Sequence, residues 1–255
     1  EKFCDKMKDA VLFKDIDGKY LTLKDCVEAN GGELKELDKN AAPDNAEENA
    51  EEKKTTIYYV TDEIQQSQYI NMFRAQGQDA VVLKHNIDSP FITQLEQRYQ
   101  NVQFQRIDAD VTDNAKEEVA EDEKEAFQKT VDSLTATFRK ELGNDKLDVK
   151  VEKLKDSNVA SIMTLSEQSR RMQEMMKMYG MSGMDPSMFG TNATLILNAN
   201  HPLVEYVVAH KDGENTEMFC HQLYDLAMLA HKPLSPEEMT EFVKRSNEIM
   251  MKLAK

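Results

Sequence analysis

Thr56-Ile57-Tyr58-Tyr59-Val60-Thr61-Asp62-Glu63 opens the segment that decides the fold. Its first five residues are β-branched or aromatic, side chains that fit a pleated, half-buried surface, and they predict a strand. Thr61-Asp62-Glu63 supplies a helix-capping signal, and Ile64, Gln68, Ile70 and Met72-Phe73 carry a helix to Gly77, a C′ stop. Ala80-Val81-Val82-Leu83 is a second apolar strand. Ser89-Pro90 reads as an N-cap followed by proline at N1, opening a helix with Phe91, Ile92, Leu95 and Tyr99. The alternating run from Val102 to Ile107 closes the unit as a third strand. The order β-α-β-α-β in about 55 residues implies a small three-stranded parallel sheet with helices packed on it, an α/β/α subdomain.

Upstream, Phe3, Met7, Ala10 and Val11 share one helical face. The chain thus begins inside an amphipathic helix, without an initiator methionine or a signal-peptide pattern, and a piece of a longer protein is expected. A polar Asp17-Gly18 segment leads into Tyr20-Leu21-Thr22-Leu23. Residues 31–54 hold eight acids, four lysines and no aromatic, the composition of a solvated, mobile acidic loop.

Downstream, a second acidic run covers 113–126, and the boundary falls near Asp110–Asn114. The expected domains are 1–112 and 113–255. Phe127, Val131, Leu134, Phe138 and Leu142 recur at helical steps and stop at Gly143-Asn144. Strands follow at 147–151, 159–163 and 193–197, with a Thr164-x-x-Glu167 capping box launching a helix to Tyr179. Asn198 or Asn200 is expected to cap a helix bearing Leu203, Val204, Val207 and Val208. Asn215 or Thr216 starts the next, which Pro233 ends. Ser235-Pro236-Glu237-Glu238 combines N-cap, N1 proline and N3 acid, and opens the last. The second domain is therefore mixed α+β and closes on a helix hairpin.

Of 255 residues 47 are acidic and 32 basic, a net charge of −15. That disfavours a general nucleic-acid or anionic-membrane binder, since both need basic patches. No run of about 18 apolar residues spans a membrane. Cys4, Cys26 and Cys220 are too few and too scattered for a disulfide framework or a Cys-x-x-Cys pair, which fits a reducing cytoplasm. Cys4 and Cys26 read as small buried hydrophobes. His85, His201, His210, His221 and His231 lack metal-ligand spacing and fit surface or capping roles. There is no phosphate-binding glycine loop, and the turn after the first strand carries acids where a phosphate would need bare amides. No catalytic set and no cofactor site emerge.

Eight of the fifteen methionines lie between Met163 and Met188. Leu165, Met172, Met175, Met176 and Tyr179 fall on about a third of the helix circumference. Such a stripe either packs into a core or faces a partner. The glycine-punctuated run that follows holds Met181, Met184, Met188 and Phe189 outside any regular element, and flexible thioethers suit varied apolar partners. The closing hairpin poses the same choice. Phe219, Leu223 and Leu226 on one helix, and Met239, Phe242, Val243, Ile249, Met250 and Leu253 on the other, are either buried within their own domain or joined to a second copy in a two-fold four-helix bundle.

Four motifs together resemble the ninety-kilodalton heat-shock chaperone family, and its bacterial branch most. Leu21-Thr22-Leu23-Lys24-Asp25 followed by Thr56-Ile57-Tyr58-Tyr59-Val60-Thr61 resembles the opening of the last middle-domain subdomain. Ile87-Asp88-Ser89-Pro90-Phe91 is similar to the segment after its second strand. Leu197-Asn198-Ala199-Asn200-His201-Pro202-Leu203-Val204 resembles a signature of the C-terminal domain, with Ala199 in place of the usual proline. The Met-rich helix falls where the family has its client-facing helix. The acidic loop 31–54 is longer than the family pattern. The closing Met251-Lys252-Leu253-Ala254-Lys255 lacks the acidic tail that docks tetratricopeptide co-chaperones, as in a bacterial member.

The resemblance implies an ATP-driven, dimeric, cytoplasmic chaperone, of which this chain holds the end of the middle domain and the C-terminal dimerisation domain. Its ATP and Mg would bind in an N-terminal domain outside this chain, and no catalytic residue carries over. Partners would be a second copy, through the hairpin residues, and unfolded client proteins, through Met172, Met175, Met176, Tyr179, Met181, Met184, Met188 and Phe189. The competing reading from the residues is a small α/β enzyme on 55–107, its site at the strand C-termini near Thr61, His85 and Asp108. A weaker one is a passive dimerising scaffold.

Overall fold

The computed structural model describes residues 7, 10–36, 54–99, 101–110, 115–178 and 193–254, with 173–178 by backbone alone. The chain divides into two units, Glu1–Ile107 and Asp108–Lys255.

In the first unit the decisive run forms β3 (Thr55–Val60), the centre of a sheet. It pairs in parallel with β4 (Val81–Val82) on one side and β5 (Val102–Arg106) on the other. Ile57 and Tyr59 point into a core with Leu23, Cys26, Val27, Ile92, Leu95 and Phe104. Tyr58 points the opposite way and meets Phe73 edge-on, ring centroids 4.9 Å apart. The period-2 alternation thus sends neighbouring rings to opposite faces. Helices α1 (Leu23–Ala29) and α3 (Asp88–Arg98) supply Leu23, Cys26, Val27, Ile92 and Leu95 to the first face, and α2 (Ser67–Ala75) supplies Phe73 to the other.

The sheet has five strands, not three. Residues Phe13–Asp15 (β1) and Tyr20–Leu21 (β2) extend it in the order β2-β1-β4-β3-β5, both antiparallel to their neighbours. They are too short to show a period. What makes them a hairpin is the turn: the Asp15 carboxylate accepts from the amides of Asp17 and Lys19, at 2.9 and 2.7 Å, and Gly18 takes φ +90°. Thr22 then caps α1 in a reciprocal box with Asp25.

Two helix starts in this unit differ from expectation. Helix α2 begins at Ser67 because Asp62 Oδ1 accepts from the Ile64 and Gln65 amides and folds the chain into a turn first. Its end is as expected: Gly77 has φ +64°, with Gln78 N bonded to Phe73 O and Gly77 N to Arg74 O, the Schellman pattern. Helix α3 starts at Asp88, which receives the His85 amide at 2.8 Å. Pro90 is therefore at N3, still among the positions whose N–H has no partner in the helix.

The second unit holds a mixed three-stranded sheet, β6 (Asp148–Glu152), β8 (Thr194–Asn198) and β7 (Ser161–Thr164) in that order. Its β8 is parallel to β6 and antiparallel to β7. Helices α4 (Lys124–Glu141), α6 (Pro202–Ala209) and α7 (Thr216–His231) contribute Leu134, Phe138, Val204, Val207, Cys220, Leu223, Ala227 and Met228 to one core with Leu195 and Leu197. The two remaining helices are α5 (Glu167–Met178) and α8 (Pro236–Leu253).

Two expected caps are reassigned here. Thr164 ends β7 and donates to Thr194 O, while Ser166 Oγ accepts the Ser169 amide at the start of α5. Helix α6 is capped by His201, whose Nδ1 accepts the Leu203 amide at 3.1 Å, ahead of Pro202 at N1. Asn198 is fully buried and works elsewhere. Its Oδ1 accepts the Leu154 and Asn200 amides, each at 3.0 Å, and its Nδ2 donates to Asp156 O and Val159 O at 3.0 and 2.8 Å. It ties the end of β8 to the loop between β6 and β7.

Candidate functional site

The hairpin α7–α8 is built by local signals. Pro233 and the extended Lys232 end α7. Ser235 Oγ accepts the Glu238 amide, Glu238 returns a carboxylate oxygen to the Ser235 amide at 2.7 Å, and Pro236 stands at N1. The bond from the Ser235 amide holds the Glu238 carboxyl below its ordinary range.

The two helices differ in what they bury. Helix α7 sends Cys220, Leu223, Ala227 and Met228 into the core of its own unit. Helix α8, with 18 residues, buries none. Val243 is 49% exposed, Met250 58% and Leu253 83%, with Met239 also exposed on α8 and Leu226 on α7. Phe242 and Ile249 are half-buried. Met251, also exposed, is not among the expected residues, because it follows Met250 off the regular step. Of the nine expected interface residues, Leu223 is taken by the core and Phe219 packs against it and against the Tyr206 ring. The other seven are exposed or half-buried, and the six on α8 fall within about a third of its circumference.

A polar cluster joins α8 to α7. Arg245 pairs through Nη2 with Asp225 Oδ2 and donates from Nε to Gln222 Oε1 at 3.0 Å. Gln222 Nε2 donates to Ser246 Oγ at 3.2 Å. Further along, Lys252 Nζ reaches Asn215 Oδ1. Burial pushes the Asp225 carboxyl above its ordinary range, against the opposite pull of Arg245. Sequence reading misses this cluster because it follows apolar periodicity, and these polar residues sit among the apolar ones.

The Met-rich segment is described in part. Met163 and Leu165 are buried. Met172 is exposed on α5, whose first turn is braced by Glu167 with Arg170 and Arg171. Met175 and Met176 lie on the α5 backbone at the i+3 and i+4 positions from Met172. Tyr179, Met181, Met184, Met188 and Phe189 lie outside the described residues.

The residues of the competing enzyme site are each engaged locally. The Thr61 amide donates to Gln66, the His85 amide donates to Asp88, and Asp108 opens the second unit, where it meets His231 Nδ1 at 3.2 Å. A 700 Å³ cleft by Gly31, Thr55 and Asn101 in the first unit, and one of 380 Å³ by His221, Tyr224 and Glu241 in the second, are lined by none of the three. Among the described residues no His, Cys, Asp and Glu gather as a metal set, and no helix is long and apolar enough to cross a membrane.

Burial pushes the thiols of Cys26 and Cys220 up to about 12. Both stay protonated and covered at about pH 8. A thiol-specific disulfide reagent at that pH is expected to modify neither in the folded chain and both in guanidinium, as peptide mass mapping would show. Rapid native modification of either would contradict the packing of the core that holds it.

The family model for "Hsp90 protein" matches residues 36–255. A chaperone protein HtpG of Bacteroides fragilis is 31% identical over 222 residues, 84% of this chain and 30% of its own length. That of Bacteroides thetaiotaomicron is 28% identical over 261 aligned positions, 98% of this chain and 33% of its own. That of Paraburkholderia xenovorans is 30% identical over 205 residues, 77% of this chain and 31% of its own. The chain thus spans about a third of the length of the curated relatives it matches. With the match running from residue 36 to the last residue, through both units, this chain belongs to the Hsp90 family.

Proposed function

We propose that this chain is the part of a chaperone that joins two copies and offers unfolded protein an apolar surface. The observation that carries the reading is α8, an amphipathic helix that ends a capped hairpin and buries no residue in its own chain. Water-facing apolar stripes of that length mark interaction sites. A second copy would cover it isologously, two hairpins making a four-helix bundle. Residues 113–255 are then the dimerisation domain and 1–112 the end of the domain before it. ATP and Mg would be bound and turned over by a region outside this chain, in the cytoplasm. The relatives bear the name chaperone protein, which fits this division of labour.

Client binding falls to the Met segment. Met172 faces solvent, and in the sequence six further methionines follow it up to Met188. Two such segments in one dimer would engage a single unfolded chain together, so modest contacts add through avidity. Changing Met172, Met175, Met176, Met181, Met184 and Met188 to Gln preserves helix propensity and removes the thioethers. Affinity for a permanently unfolded model protein is expected to fall by about tenfold or more, with the dimer intact. Unchanged affinity would remove the client role from this segment and leave the pairing role standing.

A further inference from the structure

We propose that Asp225 and Arg245 are positioning residues. Their ion pair is a clasp that sets the rotation and register of α8 on α7, so that the apolar stripe of α8 faces a second copy. The proposal rests on the pairing reading above and adds what prepares the surface.

A helix with no buried apolar side chain has no interlocked core contact to fix its rotation, and Phe242 and Ile249 are only half-buried. Each residue of slip turns the helix by roughly 100° and moves it about 1.5 Å. One step would take Val243 and Met250 off the exposed side. A planar guanidinium forked between Asp225 and Gln222 tolerates neither movement, because both bonds depend on direction. Gln222 extends the fork to Ser246, whose hydroxyl donates back to Phe242 O at 2.8 Å. The tie of Lys252 to Asn215 fixes the far end. The Asp225 and Arg245 side chains are each only 13% exposed, so the pair is largely withdrawn from water before any partner arrives. A pair this buried contributes little net stability over an apolar pair of the same shape, and its attested use is to specify register.

The test compares wild type with Arg245→Met, which keeps an apolar stem and removes the fork. Two readings are taken: the dimer dissociation constant by sedimentation, and amide exchange along α7 and α8. The expected result is a dissociation constant raised about tenfold or more and faster exchange across α8, with Cys220–Met228 protected as before. A merely structural role would lower protection in α7 and α8 together and leave affinity in step with the folded fraction. Wild-type affinity and wild-type α8 exchange in Arg245→Met overturn the proposal. If that variant loses α7 protection, Arg245→Lys with Gln222→Ala decides, since it keeps a cation beside Asp225. Several-fold weaker pairing there supports the clasp, and unchanged pairing overturns it. A wild-type chain that is monomeric would sink the pairing reading alone, because α8 exchange in monomeric Arg245→Met still tests the clasp.

Discussion

Val243→Glu combined with Met250→Glu is expected to leave the chain folded and to raise the dimer dissociation constant by about a thousand-fold or more. Both side chains are exposed in the single chain, 49% and 58%, so a carboxylate there costs the monomer little. At a two-fold seam each carboxylate would lose water without gaining a partner. An uncompensated charge in a buried setting costs about 3–5 kcal/mol, and each step of about 1.4 kcal/mol is a factor of ten. The two-fold symmetry presents every change twice. The contrast is Leu223, on the same hairpin but 1% exposed in the core of its own unit. Leu223→Ala should act on the fold instead, by about 2–5 kcal/mol. Circular dichroism and the thermal midpoint separate the two kinds of loss. A double glutamate variant that still sediments like wild type would place the contact elsewhere.

The second large effect is expected at Asn198. Asn198→Leu keeps the branching and the number of side-chain heavy atoms, is somewhat larger, and removes four hydrogen bonds at a site with no exposure. The Leu154 and Asn200 amides and the Asp156 and Val159 carbonyls all lose a partner. A buried polar group left unsatisfied costs about 1–3 kcal/mol. Some of these groups regain water at the loop, so the net loss is set at roughly 3–5 kcal/mol. For a unit of this size that is a fall of about 10 °C in the thermal midpoint. Asn198→Asp tests the mechanism: the two amides keep their acceptor, while the two carbonyls lose their donor. At low pH, with the carboxyl protonated and able to donate to one carbonyl, it should fall between wild type and Asn198→Leu; once ionised, its second oxygen faces both carbonyls and the loss should reach or exceed that of Asn198→Leu. Equal stability of all three would show that the loop between β6 and β7 does not depend on this side chain.

Asn198 marks where sequence reading succeeds and where it stops. The stretch from Asn198 to Val204 stands out in the sequence, but as a helix cap. The cap is His201, since Pro202 at N1 puts the preceding residue in place, and asparagine at a strand end can serve the backbone on either side. The long periodic runs are legible. Leu134 and Phe138 are both buried as their spacing implies, and the Ser235 box opens α8 as expected. The hairpin β1–β2 is not legible, because two and three residues carry no period and the turn that makes it depends on one aspartate.

The candidate surface shows the same division. Apolar steps of three and four residues find the exposed side of α8 and also Leu223, which faces inward. A helix such as α7 has apolar residues on two sides, and periodicity does not say which side a second element covers. Asp225 and Arg245 lie twenty residues apart and across a proline turn, with no local signal to join the two. Only the packing of one helix on the other brings them together.

The direct measurement is sedimentation equilibrium of the intact 255-residue chain from below to above micromolar concentration. If the stripe of α8 is covered by a second copy, the mass approaches twice 29.2 kDa and falls toward 29.2 kDa on dilution or with the two glutamates in place. A mass of 29.2 kDa throughout, with α8 amides fully protected from exchange, would mean that a single chain covers its own stripe and would contradict pairing through this helix.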